Sequence, residues 1–161
     1  MDKLILRHVE TSDYQTVISV LNDWWNGRNM SDMLPRLFFA HFRNTSFVAE
    51  LDGKIAGFVI GFLSQTFPDE AYIHFSGVHP YFRRKGIGAS LYRHFFETAI
   101  QHGCRVVRLV TSPINKVSIA FHLRMGFSIE PGDALMEGIY VNQDYDGPSQ
   151  DRVLFHKLLK T

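Results

Sequence analysis

The chain has 161 residues, of which 45% are hydrophobic and 14% are aromatic. This length and composition exclude a disordered chain and favour one domain with a sizeable core. The formal net charge is +1, which excludes a general electrostatic attraction to nucleic acid or to a membrane surface, so any cationic site must be local.

A single cysteine, Cys104, excludes an internal disulfide and a cysteine-rich zinc site, and we expect it to have a packing or surface role and not a covalent catalytic one. No charged leader precedes a long apolar run, and no stretch approaches the roughly 20 apolar residues of a membrane span. We therefore expect a cytoplasmic protein without membrane or nucleic-acid partners and without a metal.

The first half of the chain alternates strand and helix signals. The segment KLILRHV, residues 3–9, predicts a strand, and apolar residues at helical spacing from 14 to 25 predict a helix after it. A second helix is predicted between Met30 and Phe42, and Pro35 leaves its start open because proline is tolerated only in the first turn. The pattern in residues 45–64 predicts a hairpin that turns at Asp52-Gly53.

The second half begins with a strand from residue 69 to 80, in which Gly77 predicts a bulge or a close approach to the backbone. The elements predicted after it are a helix from Gly86 to Gly103, a buried strand at 105–112, a helix from Asn115 to Met125 and an antiparallel pair within 127–159. This order predicts an α/β layered domain, with a mixed sheet that carries helices on both faces.

The most specific segment is the glycine-rich turn VHPYFRRKGIGASL, residues 78–91. The first N–H groups of a helix lack partners within the helix, and the helix dipole makes this end partly positive, so both features favour a phosphate. Gly86 and Gly88 would let a diphosphate reach main-chain donors, and the cations at 83–85 add positive charge. The turn therefore predicts phosphate binding; the alternative is a helix start with surface cations.

Two better-known phosphate loops do not fit this turn. The P-loop pattern G-x-x-x-x-G-K-S/T is absent from the sequence. A dinucleotide fingerprint would need a third glycine where Leu91 stands, directly after a parallel strand, whereas the strand here ends at His79-Pro80.

The same turn resembles the acetyl-CoA-binding motif of the GNAT N-acetyltransferases, Q/R-x-x-G-x-G/A, which is matched from Arg83 to Gly88. A second family motif, N-x-x-S/A-x-x-F/L-Y/F-x-x-x-G-F, is matched from Asn115 to Phe127, except that His122 stands where tyrosine is usual. The resemblance extends over nearly all of residues 1–161. It implies a single GNAT domain over this range, with a mixed, mostly antiparallel sheet of about seven strands that is splayed at a bulge and has helices on both faces.

For the cofactor, the resemblance implies acetyl-CoA, with its pyrophosphate on the main-chain N–H groups of Arg84 to Ala89. It also implies that Val78 and His79 pair with the pantetheine arm like an added strand, and that the Val78 N–H polarises the thioester carbonyl. A bulge at Gly77 would leave free strand-edge groups for this pairing. The complete expected cofactor site is Val78, His79, Arg83, Arg84, Lys85, Gly86, Ile87, Gly88, Ala89, Asn115, Ser118 and Phe121.

His122 occupies the position of the family's usual acid, so the resemblance makes it the candidate that protonates the departing thiolate. Asn115, Ser118 and His122 fall at i, i+3 and i+7 of one helix and form a polar stripe that is placed to face the cofactor. The alternative is an exposed polar edge with Asn115 as the N-cap.

The candidate bases lie on the strand before the glycine-rich turn, where period-two alternation predicts that Glu70, Tyr72, His74, Ser76 and Val78 share one face. His74 has an ordinary pKa near neutrality and would take a proton from the attacking amine, whereas Glu70 would act through a water. The alternative for His74 is a core histidine with a satisfied hydrogen bond.

The resemblance places the acceptor between the first two helices, the strand face and the loop before the last strand. The candidate residues there are Trp24, Trp25, Tyr72, Tyr140 and Asp144. Adjacent helical residues point about 100° apart, so Trp24 and Trp25 do not both face inward, and one of them would line a cleft. Asp144, Asp146 and Asp151 would attract an ammonium group; the alternative is a solvated Asp-Gly-Pro turn.

The residues and the resemblance together predict an N-acetyltransferase that moves an acetyl group from acetyl-CoA to a primary amine by direct attack in a ternary complex. The alternative from another class is a non-catalytic acyl-CoA-binding or sensing module, which would use the same phosphate turn. The expected partners are a small-molecule or peptide amine and, since dimers are common in such folds, a second copy of the chain.

Overall fold

A seven-stranded sheet organises residues 3–160, the part of the chain that the computed structural model describes. In chain order the elements are β1 (Leu4–His8), α1 (Asp13–Trp24), α2 (Leu37–His41), β2 (Phe47–Leu51), β3 (Lys54–Leu63), β4 (Glu70–Val78), α3 (Ile87–Gln101), β5 (Val106–Thr111), α4 (Lys116–Arg124), β6 (Ser128–Ile129), β7 (Ala134–Met136), β8 (Ile139–Val141) and β9 (Val153–Leu158).

The strands of the sheet lie in the order β1-β2-β3-β4-β5-β9-β6, and β7 and β8 form a separate hairpin. Within residues 3–160, β4 and β5 are parallel and the other neighbouring strands of the sheet are antiparallel. The predicted mixed and mostly antiparallel sheet of about seven strands is confirmed. The predicted final antiparallel pair is also confirmed as β6 with β9, although β9 inserts between β5 and β6.

Helices cover both faces of the sheet, as predicted. Phe95 of α3 and Ile119 of α4 belong to one buried cluster, and Val17 of α1 and Phe39 of α2 belong to a second one. Full burial of such side chains contributes about 1.5–3 kcal/mol each. We call the two sides the α3/α4 face and the α1/α2 face. Among the helices of residues 3–160, none has the length and apolar character needed to cross a bilayer.

A β-bulge in β4 decides which side chains meet in the gap beside this strand. The register between β3 and β4 shifts between Ile60 and Gly61, and His74 is the extra residue of β4. As a result His74 and Phe75 both lie on the α1/α2 face, and Ser76 contacts α3 on the opposite face.

Two expectations for this strand are wrong because of the bulge. The bulge is not at Gly77, which pairs regularly with Phe58. The alternative of a close approach is correct, since a Cβ at Gly77 would lie 2.7 Å from the ring of Trp25. The residues expected on one face are also divided, because the extra residue turns Ser76 and Val78 towards α3.

β4 and β5 separate after a short parallel ladder. The ladder pairs residues 70–72 with residues 106–108, whereas β4 continues to Val78 and β5 to Thr111. Beyond Tyr72 the edge of β4 therefore faces a gap, which is the splay that the resemblance implied.

Two segments differ from the prediction. The second predicted helix is present only after Pro35, as α2, and its extension back to Met30 is wrong, since Ser31–Met33 forms a separate 3-10 turn. Pro35 has no N–H to donate and disfavours helical backbone at the residue before it, which has φ −134° and ψ 68°. The β7–β8 hairpin was not predicted; it turns at Glu137-Gly138, whose φ angles of 50° and 80° suit a two-residue turn.

Candidate active site

A cavity of about 920 Å³ lies where β4 and β5 diverge. Side chains from both faces of the sheet line it, so two ligands are able to approach the gap from opposite sides. The α1/α2 face contributes Trp25, Arg28, Met30, Met33, Tyr72, His74 and Phe75, the α3/α4 face contributes Ser76, Tyr92, Asn115, Ser118 and His122, and the loop before β9 contributes Asp146, Asp151 and Arg152.

The edge of β4 offers main-chain groups to this gap. The His79 N–H donates to the Ala56 carbonyl at 2.8 Å, which makes Val78 and Gly57 a non-hydrogen-bonded pair of the antiparallel ladder. The N–H and C=O of Val78 therefore point away from β3 and towards the gap. The His79 carbonyl accepts from the Phe82 N–H, so both main-chain groups of His79 are used, and the pairing predicted for the pantetheine arm depends on Val78.

The turn before α3 has a backbone that suits a diphosphate. Arg84 and Gly86 have positive φ angles of 65° and 77°, and no acceptor within residues 3–160 bonds to the N–H groups from Arg84 to Ala89. Ile87 is buried and anchors the turn in the core. A Cβ at Gly88 would lie 3.3 Å from the ring of Phe121, so glycine at this position keeps α3 close to α4.

The three cations of the turn have different surroundings. Arg83 donates through Nη2 to the Trp24 carbonyl at 2.8 Å and through Nε to the Val78 carbonyl at 3.2 Å. It therefore ties the turn to α1 and to β4. Arg84 and Lys85 are exposed, so these two cations are the ones placed to meet phosphates.

The polar stripe of α4 lines the α3/α4 side of the cavity. Asn115 is the N-cap of α4, since its Oδ1 accepts from the Ser118 N–H at 3.1 Å, and it also lines the cavity. His122 is only 5% exposed, which excludes the alternative of an exposed polar edge. Phe121 packs edge-on against Tyr92 at a ring distance of 5.0 Å.

His122 is held as a neutral imidazole. Its Nδ1–H donates to the Ser118 carbonyl at 2.7 Å, because a carbonyl only accepts. Its Nε2 therefore accepts from the Tyr92 O–H at 2.8 Å, and burial lowers the pKa of His122 to about 4. A neutral ring whose N–H is bound to a carbonyl is poorly arranged for the acid role expected of His122.

His74 faces the other side of the cavity. Its Nε2–H donates to the Met33 carbonyl at 2.6 Å, and its ring stacks on Phe38 with a centroid distance of 4.1 Å. Burial lowers the pKa of His74, which keeps the ring neutral near pH 7. The tautomer that Met33 selects leaves the Nδ1 lone pair to accept a proton, so the satisfied hydrogen bond and a base role are compatible.

Glu70 lies outside the residues that line the cavity. Its Oε1 accepts from Arg108 Nε at 3.0 Å, and Arg108 also bonds to Glu130. Glu70 is moreover in the part of β4 that still pairs with β5. The structure therefore favours His74 over Glu70 as the base.

Trp24 and Trp25 have different surroundings, as expected for neighbours at the end of a helix. Trp24 is buried against Phe58 at a ring distance of 5.9 Å and is not brought to the cavity wall. Trp25 packs on Phe75 at 5.2 Å and lines the cavity. Trp25 is thus the tryptophan placed to contact an acceptor.

The other acceptor candidates are divided in the same way. Tyr72 lines the cavity, and burial raises the pKa of Tyr72 to about 12. Tyr140 lies on β8 with 45% of its surface exposed, away from the cavity wall. Asp144 has the alternative role, that of a solvated turn residue, since its Oδ1 accepts from the Ser149 N–H at 2.7 Å.

Two other carboxylates of the same loop do line the cavity. Asp146 Oδ2 pairs with Arg152 Nε at 2.8 Å, and Asp151 Oδ1 accepts from the Asp144 N–H at 2.9 Å. These carboxylates face the same cavity as Arg28, so the acceptor end presents both signs of charge.

Cys104 lies away from the cavity wall. It is 1% exposed in the core, and burial raises the pKa of its thiol, which favours an unreactive thiol. Of the two predicted roles, packing or surface, the structure shows packing.

A family model described as the acetyltransferase (GNAT) family matches residues 13–127. This range contains both sequence motifs, β4 with its bulge, and the stripe of α4. The chain belongs to the GNAT acetyltransferase family.

The curated relatives of this GNAT protein match about half of it. An L-2,4-diaminobutyric acid acetyltransferase from Nocardia farcinica is 36% identical over 84 residues, which are 52% of the chain and 44% of the relative. An uncharacterised N-acetyltransferase from Methanocaldococcus jannaschii is 40% identical over 85 residues, which are 50% of the chain and 38% of the relative. The chain thus spans less than half the length of either relative.

Solved GNAT structures extend the similarity to the whole fold. Ard1 from Thermoplasma volcanium superposes with a TM-score of 0.77 at 19% identity and covers 98% of this chain and 99% of its own. Diaminobutyrate acetyltransferase EctA from Paenibacillus lautus, solved with L-2,4-diaminobutyric acid and coenzyme A, has a TM-score of 0.72 at 21% identity, with 97% and 95% covered. At these identities the similarity shows the fold alone.

The residues of this GNAT protein fit an acyl-CoA. The open N–H groups from Arg84 to Ala89 suit a diphosphate, and the exposed Arg84 and Lys85 suit a further phosphate. The Val78 N–H, which points into the gap, suits an extended amide arm.

Sequence reasoning missed Tyr92 and the contact that it makes with Ser76 in this GNAT site. Tyr92 is 2% exposed and follows Leu91 on the buried stripe of α3. A hydroxyl inside an apolar stripe needs a hydrogen-bond partner, and this need was the available signal. Arg28 was missed because it lies in the turn after α1, where no periodic pattern marks it.

Proposed function

We propose that this protein transfers an acetyl group from acetyl-CoA to a primary amine by direct attack in a ternary complex. The observation that carries the proposal is the position of Val78, whose main-chain N–H points into the gap beside the first turn of α3. A Cβ at Gly88 would lie 3.5 Å from Val78 Cγ2, so a ligand held by the turn has a short path to this N–H. Bound acetyl-CoA supplies the acyl thioester.

The protein's own groups then have distinct tasks. The Val78 N–H donates to the carbonyl oxygen that gains charge during attack. His74 Nδ1 accepts a proton from the entering ammonium, because only the free amine is a nucleophile. Trp25 and Phe75 line the same cavity and limit the solvation of the ammonium beside His74, which favours its deprotonation there. Positioning of the two reactants accounts for much of the remaining acceleration, on the order of 7 kcal/mol or more.

The experiment that tests this function combines ligand binding with turnover. We expect acetyl-CoA at a hundred times its dissociation constant to stabilise the protein by about 2.7 kcal/mol, and ATP and NAD to have no such effect. Release of coenzyme A thiol should then depend on an added amine. Stabilisation without amine-dependent release would favour the non-catalytic acyl-CoA-binding module, and no stabilisation would contradict both functions.

The amine panel is chosen from the charges of the cavity and from the relatives. L-2,4-diaminobutyric acid is included because a curated relative and a structural neighbour are named for it. L-lysine, a polyamine, an aminoglycoside and a short peptide with a free N-terminus cover the other classes of primary amine. Asp146 and Asp151 against Arg28 favour an acceptor that carries both charges over a simple polyamine.

Neutralising Asp146 is expected to raise the KM for a cationic acceptor about fivefold, equal to about 1 kcal/mol. Asp146→Asn removes a carboxylate from the cavity and with it the charge that neutralises the Arg152 guanidinium, so an entering ammonium meets net repulsion. Asp144→Asn is the matched control, because it neutralises the same loop while its Oδ1 still accepts from the Ser149 N–H. Steady-state kinetics with equal KM changes in both variants would contradict this acceptor site.

The net charge of +1 supports a small-molecule or peptide amine, and not a nucleic acid, as the partner. A cytoplasmic location and a homodimer stay predictions from the sequence. Size-exclusion chromatography with light scattering measures the second of them directly.

A further inference from the structure

Conversion of an ammonium into an amide releases two protons, and the base His74 accounts for only one of them. The overall reaction is RNH₃⁺ plus the acetyl thioester to RNH–COCH₃ plus the free thiol plus H⁺. His74 takes one proton before attack and passes it to solvent. The second proton must leave the nitrogen after attack, and the departing sulfur must gain one. This inference rests on the proposed function.

A buried chain of hydrogen bonds runs from the cavity to His122. Ser76 Oγ lies 2.8 Å from Tyr92 Oη, and Tyr92 Oη lies 2.8 Å from His122 Nε2. His122 Nδ1 lies 2.7 Å from the Ser118 carbonyl oxygen. The half-buried Ser76 is the cavity end, whereas Tyr92 and His122 are 2% and 5% exposed.

The Ser118 carbonyl fixes which atom donates in each hydrogen bond of this chain. The Ser118 carbonyl only accepts, so the proton of the neutral ring is on Nδ1 and Nε2 carries a lone pair. Tyr92 must then donate to Nε2, and the Ser76 O–H donates to Tyr92. The chain therefore points inward, and Ser76 Oγ presents its lone pairs to the cavity.

We infer that Ser76, Tyr92 and His122 form a proton shuttle, which takes the second proton from the adduct nitrogen and returns it to the departing sulfur. On the way in, the N–H bond of the adduct breaks and an O–H bond forms on Ser76. Ser76 passes its original proton to Tyr92, and Tyr92 passes its original proton to His122 Nε2. The C–S bond breaks, and the electron pair leaves with sulfur. The same steps in reverse form the S–H bond and leave all three side chains as they began.

The surroundings of His122 suit a carrier that holds a proton only briefly. Among the described side chains, its hydrogen-bond partners are Ser118 and Tyr92 and its ring neighbours include Phe121, Phe127 and Phe155. None of these groups is a carboxylate that would stabilise an imidazolium. The low pKa that burial imposes on His122 drives the proton onward to sulfur. Histidine suits this role where tyrosine is usual, because one ring nitrogen fixes the tautomer while the other accepts.

The first test removes one hydroxyl from the middle of the chain. We expect Tyr92→Phe to lower kcat about 10²-fold while the KM for acetyl-CoA stays within about twofold, because the ring and its packing are kept. Tyr14→Phe is the matched control, since Tyr14 of α1 packs on Phe39 of α2, away from the cavity wall. Ser76→Ala, with Ser19→Ala as control on exposed α1 surface, tests the cavity end if Tyr92→Phe folds poorly.

Two readouts separate a shuttle from a packing role. In a shuttle the Ser76→Ala and Tyr92→Phe losses are not additive, so the double variant has about the kcat of the slower single variant. A plot of wild-type kcat against the deuterium fraction of the solvent should be curved, because several protons move in the same step. The same plot should be linear for either variant. A packing role gives additive losses and an unchanged isotope dependence.

The outcomes distinguish this inference from the proposed function. Amine-dependent thiol release by the wild type, together with unchanged kcat or additive losses in the variants, overturns the shuttle and leaves the acetyltransferase standing. No amine-dependent release by the wild type overturns both. Non-additive loss with a linear isotope dependence in the variants supports the shuttle.

Discussion

Replacing His74 with glutamine is expected to lower kcat by about 10²- to 10⁴-fold, the usual contribution of a positioned general base. Glutamine keeps an N–H donor near the Met33 carbonyl but has no basic nitrogen to take the ammonium proton. His102→Gln is the matched control, because His102 is exposed at the end of α3 and bonds to the Thr98 carbonyl. Steady-state rates with saturating acetyl-CoA measure the difference.

The pH dependence of kcat/KM tests the base role of His74 independently. Burial lowers the pKa of His74, so the wild-type ring stays a base until the pH falls below the ordinary histidine value of about 6.5. Below the lowered pKa of His74 the ring is protonated and accepts no proton from the amine. We therefore expect kcat/KM to fall as the pH drops through the pKa of His74. His74→Gln should lose this acidic limb. A limb that persists in the variant would assign it to another group and contradict the base role of His74.

Replacing Gly86 with alanine is expected to remove most of the roughly 2.7 kcal/mol of stabilisation that saturating acetyl-CoA provides. The φ of Gly86 is +77°, and nothing lies within 4 Å of a Cβ built there, so an alanine acts through the backbone, by disfavouring the left-handed conformation that aligns the N–H groups of the turn. The positive φ itself costs about 1–2 kcal/mol for a residue with a Cβ.

Gly103 provides the control for that backbone strain. It follows the other end of α3 with a φ of +85° and equally open space around it. Gly86→Ala and Gly103→Ala should therefore lose similar free energy of unfolding without ligand, while only Gly86→Ala loses the acetyl-CoA effect in thermal or denaturant unfolding. Equal ligand stabilisation in both variants would show that the diphosphate does not bind at this turn.

The layers and order of the fold could be predicted because periodic apolar patterns report burial. Phe95 and Ala99 of α3 and the pattern of β3 belong to such segments. Pro35 broke the second helix because a proline acts through its own missing N–H and not through the average of its segment. The β7–β8 hairpin escaped because its strands have three residues each, too few for alternation to be distinguished from a loop.

The cofactor turn could be predicted because its signal is local, with glycines, cations and a helix start in contiguous sequence. The acceptor side could not, because it joins residues that are remote in the chain. Asp146 was separated from Asp144 only by a hydrogen bond within the loop. Tyr92 met His122 only through the packing of α3 on α4, which no spacing within one helix reveals.

The bulge at His74 places two consecutive residues of β4, His74 and Phe75, on the α1/α2 face. Deletion of one residue between Tyr72 and Ser76 would restore even pleating, because Phe75 already pairs with Ile60 and Ile73 with Gly61. Ser76 would keep Val59 as its partner and Val78 would keep Gly57, so the thioester side of the strand would be retained. The acceptor side would instead lose one of its two adjacent rings, so the length of this short stretch matters to the acceptor side of the cavity.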